Sequence, residues 1–214
     1  MSCRLHSVHS IQGLTSVKRS GLAKKLEQMR TPYIGPFSRK AKQMRDALTG
    51  RAIEQVRSVR LPSFAAGAVR STLRNNNGEV KDYLREALET IGPRFVTEAL
   101  ERAQGKSLTK QEEPIDRWFD EVSRWLQSAQ AGAEIRQITE TVRKDITAII
   151  EGGIEEGAGT ETIAQRLEEE MEDVNRQRGR VIARTETVTA SNKASSFGAS
   201  QVPVEMLKTW VDSG

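Results

Sequence analysis

Apolar residues in this chain recur at intervals of three and four rather than two, and that spacing predicts helices almost throughout. Val80, Tyr83, Leu84, Ala87, Leu88 and Ile91 put one apolar face on a helix over 79–91. Gly92-Pro93 interrupts it, and 94–104 continues with Phe95, Val96, Ala99 and Leu100. A polar connection covers 105–113, after which Pro114 suits a first helical turn. Ile115, Trp118, Phe119, Val122, Trp125 and Leu126 then form the richest apolar face in the chain. A second long stripe runs through Ala133, Ile135, Ile138, Val142, Ile146, Ile149 and Ile150. These two helices, joined near Gly132, are expected to pair as an antiparallel hairpin.

The first third of the chain is more broken. Residues 1–20 show little periodicity. A short basic helix is predicted over 21–30, stopped by Thr31-Pro32 and Gly35-Pro36. A stronger one covers 38–60, with Ala41, Met44, Ala47 or Leu48, Ile53 and Val56 near helical spacing. Leu61-Pro62 ends it, and Ser63 is placed to cap a weak helix through Leu73. Asn75-Asn76-Asn77-Gly78 is the clearest loop, and a domain boundary is expected there.

Charge sharpens that boundary. Residues 1–74 hold fifteen Lys and Arg against Glu27, Asp46 and Glu54, a net of +12. The whole chain is +4, so the remainder carries −8, mostly between Glu112 and Glu172. Such asymmetry marks 1–74 as a basic arm. Lys18, Arg19, Lys24, Lys25, Arg39, Lys40, Lys42, Arg45 and Arg51 are candidates for DNA contact, with affinity arising from counterion release. An acidic protein, including the acidic half of another copy, is the competing partner, and plain solvation the third reading. Few aromatics interleave the cations, so backbone contact without base stacking is the mode expected.

Composition adds bounds. Apolar residues make up 36%, below the roughly 45–50% of ordinary domains, and 29% are charged. Long solvated helices follow better than one deep globule, so the expected class is mostly α and elongated. No apolar run approaches the ~20 residues of a membrane span, and no partner membrane is expected. The N-terminus lacks a signal-peptide core, which predicts synthesis in a cytoplasm. Cys3 is the one cysteine, which excludes an internal disulfide framework.

Chemistry is sparse. Cys3, His6 and His9 fall one short of a structural zinc set, so no metal is expected. Glu151, Glu155, Glu156 and Glu168-Glu169-Glu170 read as a solvated acidic face, because acid–base catalysis needs two carboxyls in unlike environments. No phosphate-binding glycine loop and no Ser/His/Asp set is present. Neither enzyme activity nor a cofactor is expected.

The segment 180–201 is the most informative. It reads as a helix, yet Arg184-Thr185-Glu186-Thr187 is polar at its centre, and Thr185, Glu186, Thr189 and Asn192 recur at helical spacing. A buried stripe of this kind has to find hydrogen-bond partners. Glu186 is placed to accept from a neighbouring helix terminus, or from Arg180 or Arg184 of an adjacent element. Fixing the domain's own packing is the first reading of this network, and direct partner contact the second.

Ile182–Ala199, with Lys208-Thr209-Trp210-Val211 beyond it and the glycine-containing turn after Ile149-Ile150, resembles the core signature of Mu-F-like phage head-morphogenesis, or minor head, proteins. The resemblance covers roughly 140–211. It implies a virion protein of the head interior or portal vertex, acting in procapsid assembly, DNA packaging or genome delivery. Portal protein and other head proteins would be its partners, in multiple copies, with packaged double-stranded DNA a further candidate. The signature residues carried over are Arg184, Thr185, Glu186, Thr189, Asn192 and Trp210, and a short terminal strand over 204–211 is implied. Family members continue into a tail with Asp, Arg and His that this sequence does not match, so nothing of that tail is carried over. Three segments result: a basic arm (1–74), a helical body (79–153) and a signature domain (154–214). The alternative is a nucleic-acid-binding architectural protein without sequence preference.

Overall fold

A computed structural model describes residues 16–75, 77–104 and 112–201. They form α1 (Ser16–Ser58), α2 (Pro62–Asn75), α3 (Gly78–Gln104), α4 (Glu112–Trp125), α5 (Ala129–Glu155) and α6 (Thr160–Ser200). Among the described residues there is no strand. The strand expected over 204–211, with Trp210, lies outside them, as do Cys3, His6 and His9. The fold is mostly α and elongated: at 43 and 41 residues, α1 and α6 are about 60 Å long at 1.5 Å per residue. A compact domain of this size would be roughly 45 Å across.

Two predicted breaks are absent. α1 runs unbroken through Pro32 and Pro36, and α3 through Pro93. Each proline removes a helical hydrogen bond and costs about 3 kcal/mol in a free helix, but tertiary burial on both sides outweighs the local penalty. Around Pro32 and Pro36, Met29, Phe37, Ala41 and Met44 are buried, and Phe37 meets Tyr83 edge-on at 6.1 Å. Around Pro93, Ile91, Phe95 and Val96 are fully buried. α6 likewise runs unbroken through 172–179, whose charged residues hide the helical period. Its inward positions are Asn175, 1% exposed, and Gly179, where a Cβ would come within 3.0 Å of the Lys42 amide nitrogen.

α6 is the spine, lying along α1 and α3. Its second half buries small residues, Gly179, Ala183, Thr187, Ala190, Ser191, Ala194 and Gly198, which let neighbouring backbones approach. At Gly198 a Cβ would meet the Val96 carbonyl oxygen at 2.7 Å. The hairpin expected between α4 and α5 is not made: α4 packs on α3, while α5 packs on α2 and α6. Trp118 decides the first contact. Its indole fills the space over Gly92 and donates to the Leu88 carbonyl at 3.2 Å. α5 begins at Ala129, capped by the Ser128 hydroxyl, which accepts from the Ala131 amide. The α5–α6 turn uses Gly157 at φ 73°, and Gly159 occupies the cap position of α6.

The three segments drawn from the sequence share one apolar core. Leu48, Val56 and Leu73 from the first, Ile91 and Ile146 from the second, and Leu167 and Met171 from the third belong to one contiguous cluster.

Candidate functional site

Helical geometry splits the signature residues between two faces of α6. Arg184, Thr185 and Asn192 are exposed, Thr189 is half-buried, and Glu186 and Thr187 are buried. Asn192 is held by a residue that the sequence reading passed over: Arg30 of α1 donates from Nη2 to its Oδ1 at 2.8 Å and from Nε to the Ser191 hydroxyl at 2.7 Å. The Ser191 hydroxyl in turn donates to the Val188 carbonyl. Burial pulls the Arg30 pKa down. Arg30 looked like one of many surface cations, and its partners lie about 160 positions away.

Glu186 does not meet an arginine or a helix terminus as expected. It lies beside Glu134 of α5, with which it lines one cleft, and near Tyr83 of α3. Burial first, and then the Glu134 partner, push its pKa up, against a smaller pull from Lys193. Lys193 sits 3.5 Å from the Glu134 carboxylate and 3.3 Å from the centroid of the Trp125 ring. Burial lowers the Lys193 pKa. The Tyr83 hydroxyl and the Trp125 indole N–H are buried without a hydrogen-bond partner, and the hydroxyl's pKa is raised by burial and then by the Glu186 charge.

This cluster lies where two clefts adjoin. One, of about 670 Å³, is lined by Trp118, Trp125, Phe197 and Gln201 among others. The second, of about 590 Å³, runs between α5 and α6 past Glu134, Val181, Thr185, Glu186 and Thr189. Gln130 and Lys193 line both. Together they make a groove with aromatic side chains at one end and carboxyls and threonines at the other.

The candidate DNA contacts fare differently from one another. Arg45 is wholly buried and unable to reach DNA. Its Nη2 bonds Asp145 at 2.7 Å and its Nε bonds Asn175 at 3.0 Å, while Asn175 donates to Asp46 and Thr49. Burial lowers its pKa, with Asp145 opposing. Lys25 pairs with Glu98, Lys40 with Glu86, Arg51 with Glu79, and Lys42 with both Asp46 and Glu172. Lys24 and Arg39 are exposed and, among the described residues, make no ion pair. Lys18 and Arg19 lie in α1. The acidic surface that answers α1 is therefore supplied largely by α3, α5 and α6 of the same chain. The sequence showed the opposite charges of its two parts, but not that they meet.

No helix among the described residues is long and apolar enough to cross a membrane. The chain matches no protein-family model, no curated protein and no solved structure.

Proposed function

We propose that this chain is a structural protein of a phage head, of the head-morphogenesis kind, which holds other head proteins at the portal vertex or capsid interior and performs no reaction of its own. The resemblance of 140–211 supplies the phage assignment. The observation that supports a protein-binding mode is the groove beside the signature helix. It brings Thr185 and Thr189 to an accessible cleft that continues into an aromatic one, while Arg184 stands exposed on the same helix. Contact with protein is favoured over contact with DNA because the cations of α1 are largely matched by carboxylates of the same chain.

Quantitative mass spectrometry of gradient-purified particles from the source phage or prophage tests this reading. A low copy number at a fixed ratio to portal protein is expected in genome-filled and emptied particles alike. Absence from procapsids and mature particles would overturn it.

A further inference from the structure

α6 presents one ridge of residues, spaced by four, to the whole length of the groove. Val181, Thr185 and Thr189 line the cleft against α5, Lys193 stands where the two clefts meet, and Phe197 and Gln201 line the aromatic end. Such a row winds slowly round a helix. From 181 to 201 it is about 30 Å long at 1.5 Å per residue. Two groups along it lack an acceptor: the Trp125 indole N–H and the Lys193 ammonium are buried with no hydrogen-bond partner. The ammonium has the Glu134 carboxylate at 3.5 Å as its counter-ion. Buried donors are normally paired.

The chain leaves α6 at the mouth of the aromatic cleft. Gln201 is the C-cap of α6, and Arg117 of α4 donates to its Oε1 at 3.4 Å. The sequence continues Val202-Pro203-Val204-Glu205-Met206-Leu207-Lys208-Thr209-Trp210-Val211. Pro203 has no amide hydrogen and steers the residue before it to extended backbone. In extended form Val202, Val204, Met206, Lys208 and Trp210 share one face. Ten residues then reach about 33 Å, close to the length of the groove.

We propose that 202–211 folds back along α6 and fills this groove as an extended segment. The register follows from the two rises per residue. Lys208 comes about 23 Å from Gln201, level with Glu186, which lines that cleft together with Glu134. Trp210 comes level with Val181, which is 61% exposed on α6. Charge therefore meets opposite charge, and the exposed apolar side chain of α6 gains a cover. The backbone carbonyls of the segment supply acceptors for Trp125 and Lys193. A partner that takes the groove, as proposed above, has to displace this segment, but the fold-back concerns the chain alone and does not rest on that reading.

Paramagnetic NMR on the full chain tests it. Gln137 lines the cleft far from Gln201, so a nitroxide is attached at Gln137→Cys in a Cys3→Ser background. The amides of 208–211 are expected to lose more than half of their intensity. Their exchange with solvent is expected to be about tenfold or more slower than in an unstructured chain. Lys208→Glu combined with Trp210→Ala leaves all six helices unaltered in sequence and should abolish both effects. Full intensity over 208–211, or broadening that survives the double substitution, would overturn the proposal. Broadening seen only between nitroxide-bearing and isotope-labelled chains in a mixture would also overturn it, by assigning the groove to the segment of a second copy.

Discussion

Glycine and arginine carry the sharpest consequences at the scale of single residues. Gly198 and Gly67 both lie within helices, yet a methyl group would meet the Val96 carbonyl at 2.7 Å at one and open space at the other. Gly198→Ala is therefore expected to destabilise by about 1–3 kcal/mol through overpacking. Gly67→Ala should stabilise by about 0.4–1 kcal/mol by narrowing the unfolded ensemble. Opposite signs in denaturant titrations are the expected result; two changes of the same sign would mean that α6 does not approach α3 so closely. Arg45 poses a different problem, since it is buried with Asp145 and Asn175 as partners. Arg45→Ala leaves Asp145 without its closest cation and should cost about 3–5 kcal/mol, where a surface cation would cost almost nothing. A loss below about 1 kcal/mol, measured by chemical unfolding, would place Arg45 at the surface. The sequence offered no sign of this role, because Arg45 sits among other cations at ordinary spacing and its partners lie about 100 and 130 positions away.

Whole elements were legible wherever the apolar period was strong. The stripes of α4 and α5 and the start of α3 appear close to where spacing placed them, whereas of the loop expected over Asn75-Asn76-Asn77-Gly78, Asn75 closes α2, Gly78 opens α3 and Asn77 is described outside a helix. Breaks were over-read. Local rules assign Pro32, Pro36 and Pro93 to helix ends, but in long helices buried on several sides the neighbours' packing decides. That gives a test: in a continuous α1, Pro36→Ala restores a hydrogen bond and relieves the ring clash, stabilising by about 1–3 kcal/mol. At about 2–4 °C per kcal/mol for a chain of this size, the melting temperature should rise measurably. A fall would argue that 31–36 is a turn needing proline. The signature helix was legible as a helix but misread in its partners. Its polar stripe stood out, whereas the small residues at Gly179, Ala183, Ala190, Ala194 and Gly198, which set how closely α6 packs, looked featureless. Glu186 stood out as part of that stripe, yet a carboxyl neighbour on α5 runs against the usual expectation of a cation and no local pattern announces it.

For the molecule as a whole, the electrostatic asymmetry turns inward. A net of +12 in the first 74 residues suggested an arm reaching for DNA or an acidic protein, and α3, α5 and α6 provide carboxylates within the chain through Glu98, Asp145 and Glu172. If α1 belongs to this single core, it unfolds with α6 rather than ahead of it. Native-state hydrogen exchange measures this directly, because amides in one cooperative unit open with a common free energy. The amides of 41–56 in α1 and 163–194 in α6 are expected to exchange with the same free energy of opening, and to follow the same denaturant dependence. Exchange of the α1 amides orders of magnitude faster, while α6 stays protected, would contradict a shared core and return the basic segment to the role of an independent arm.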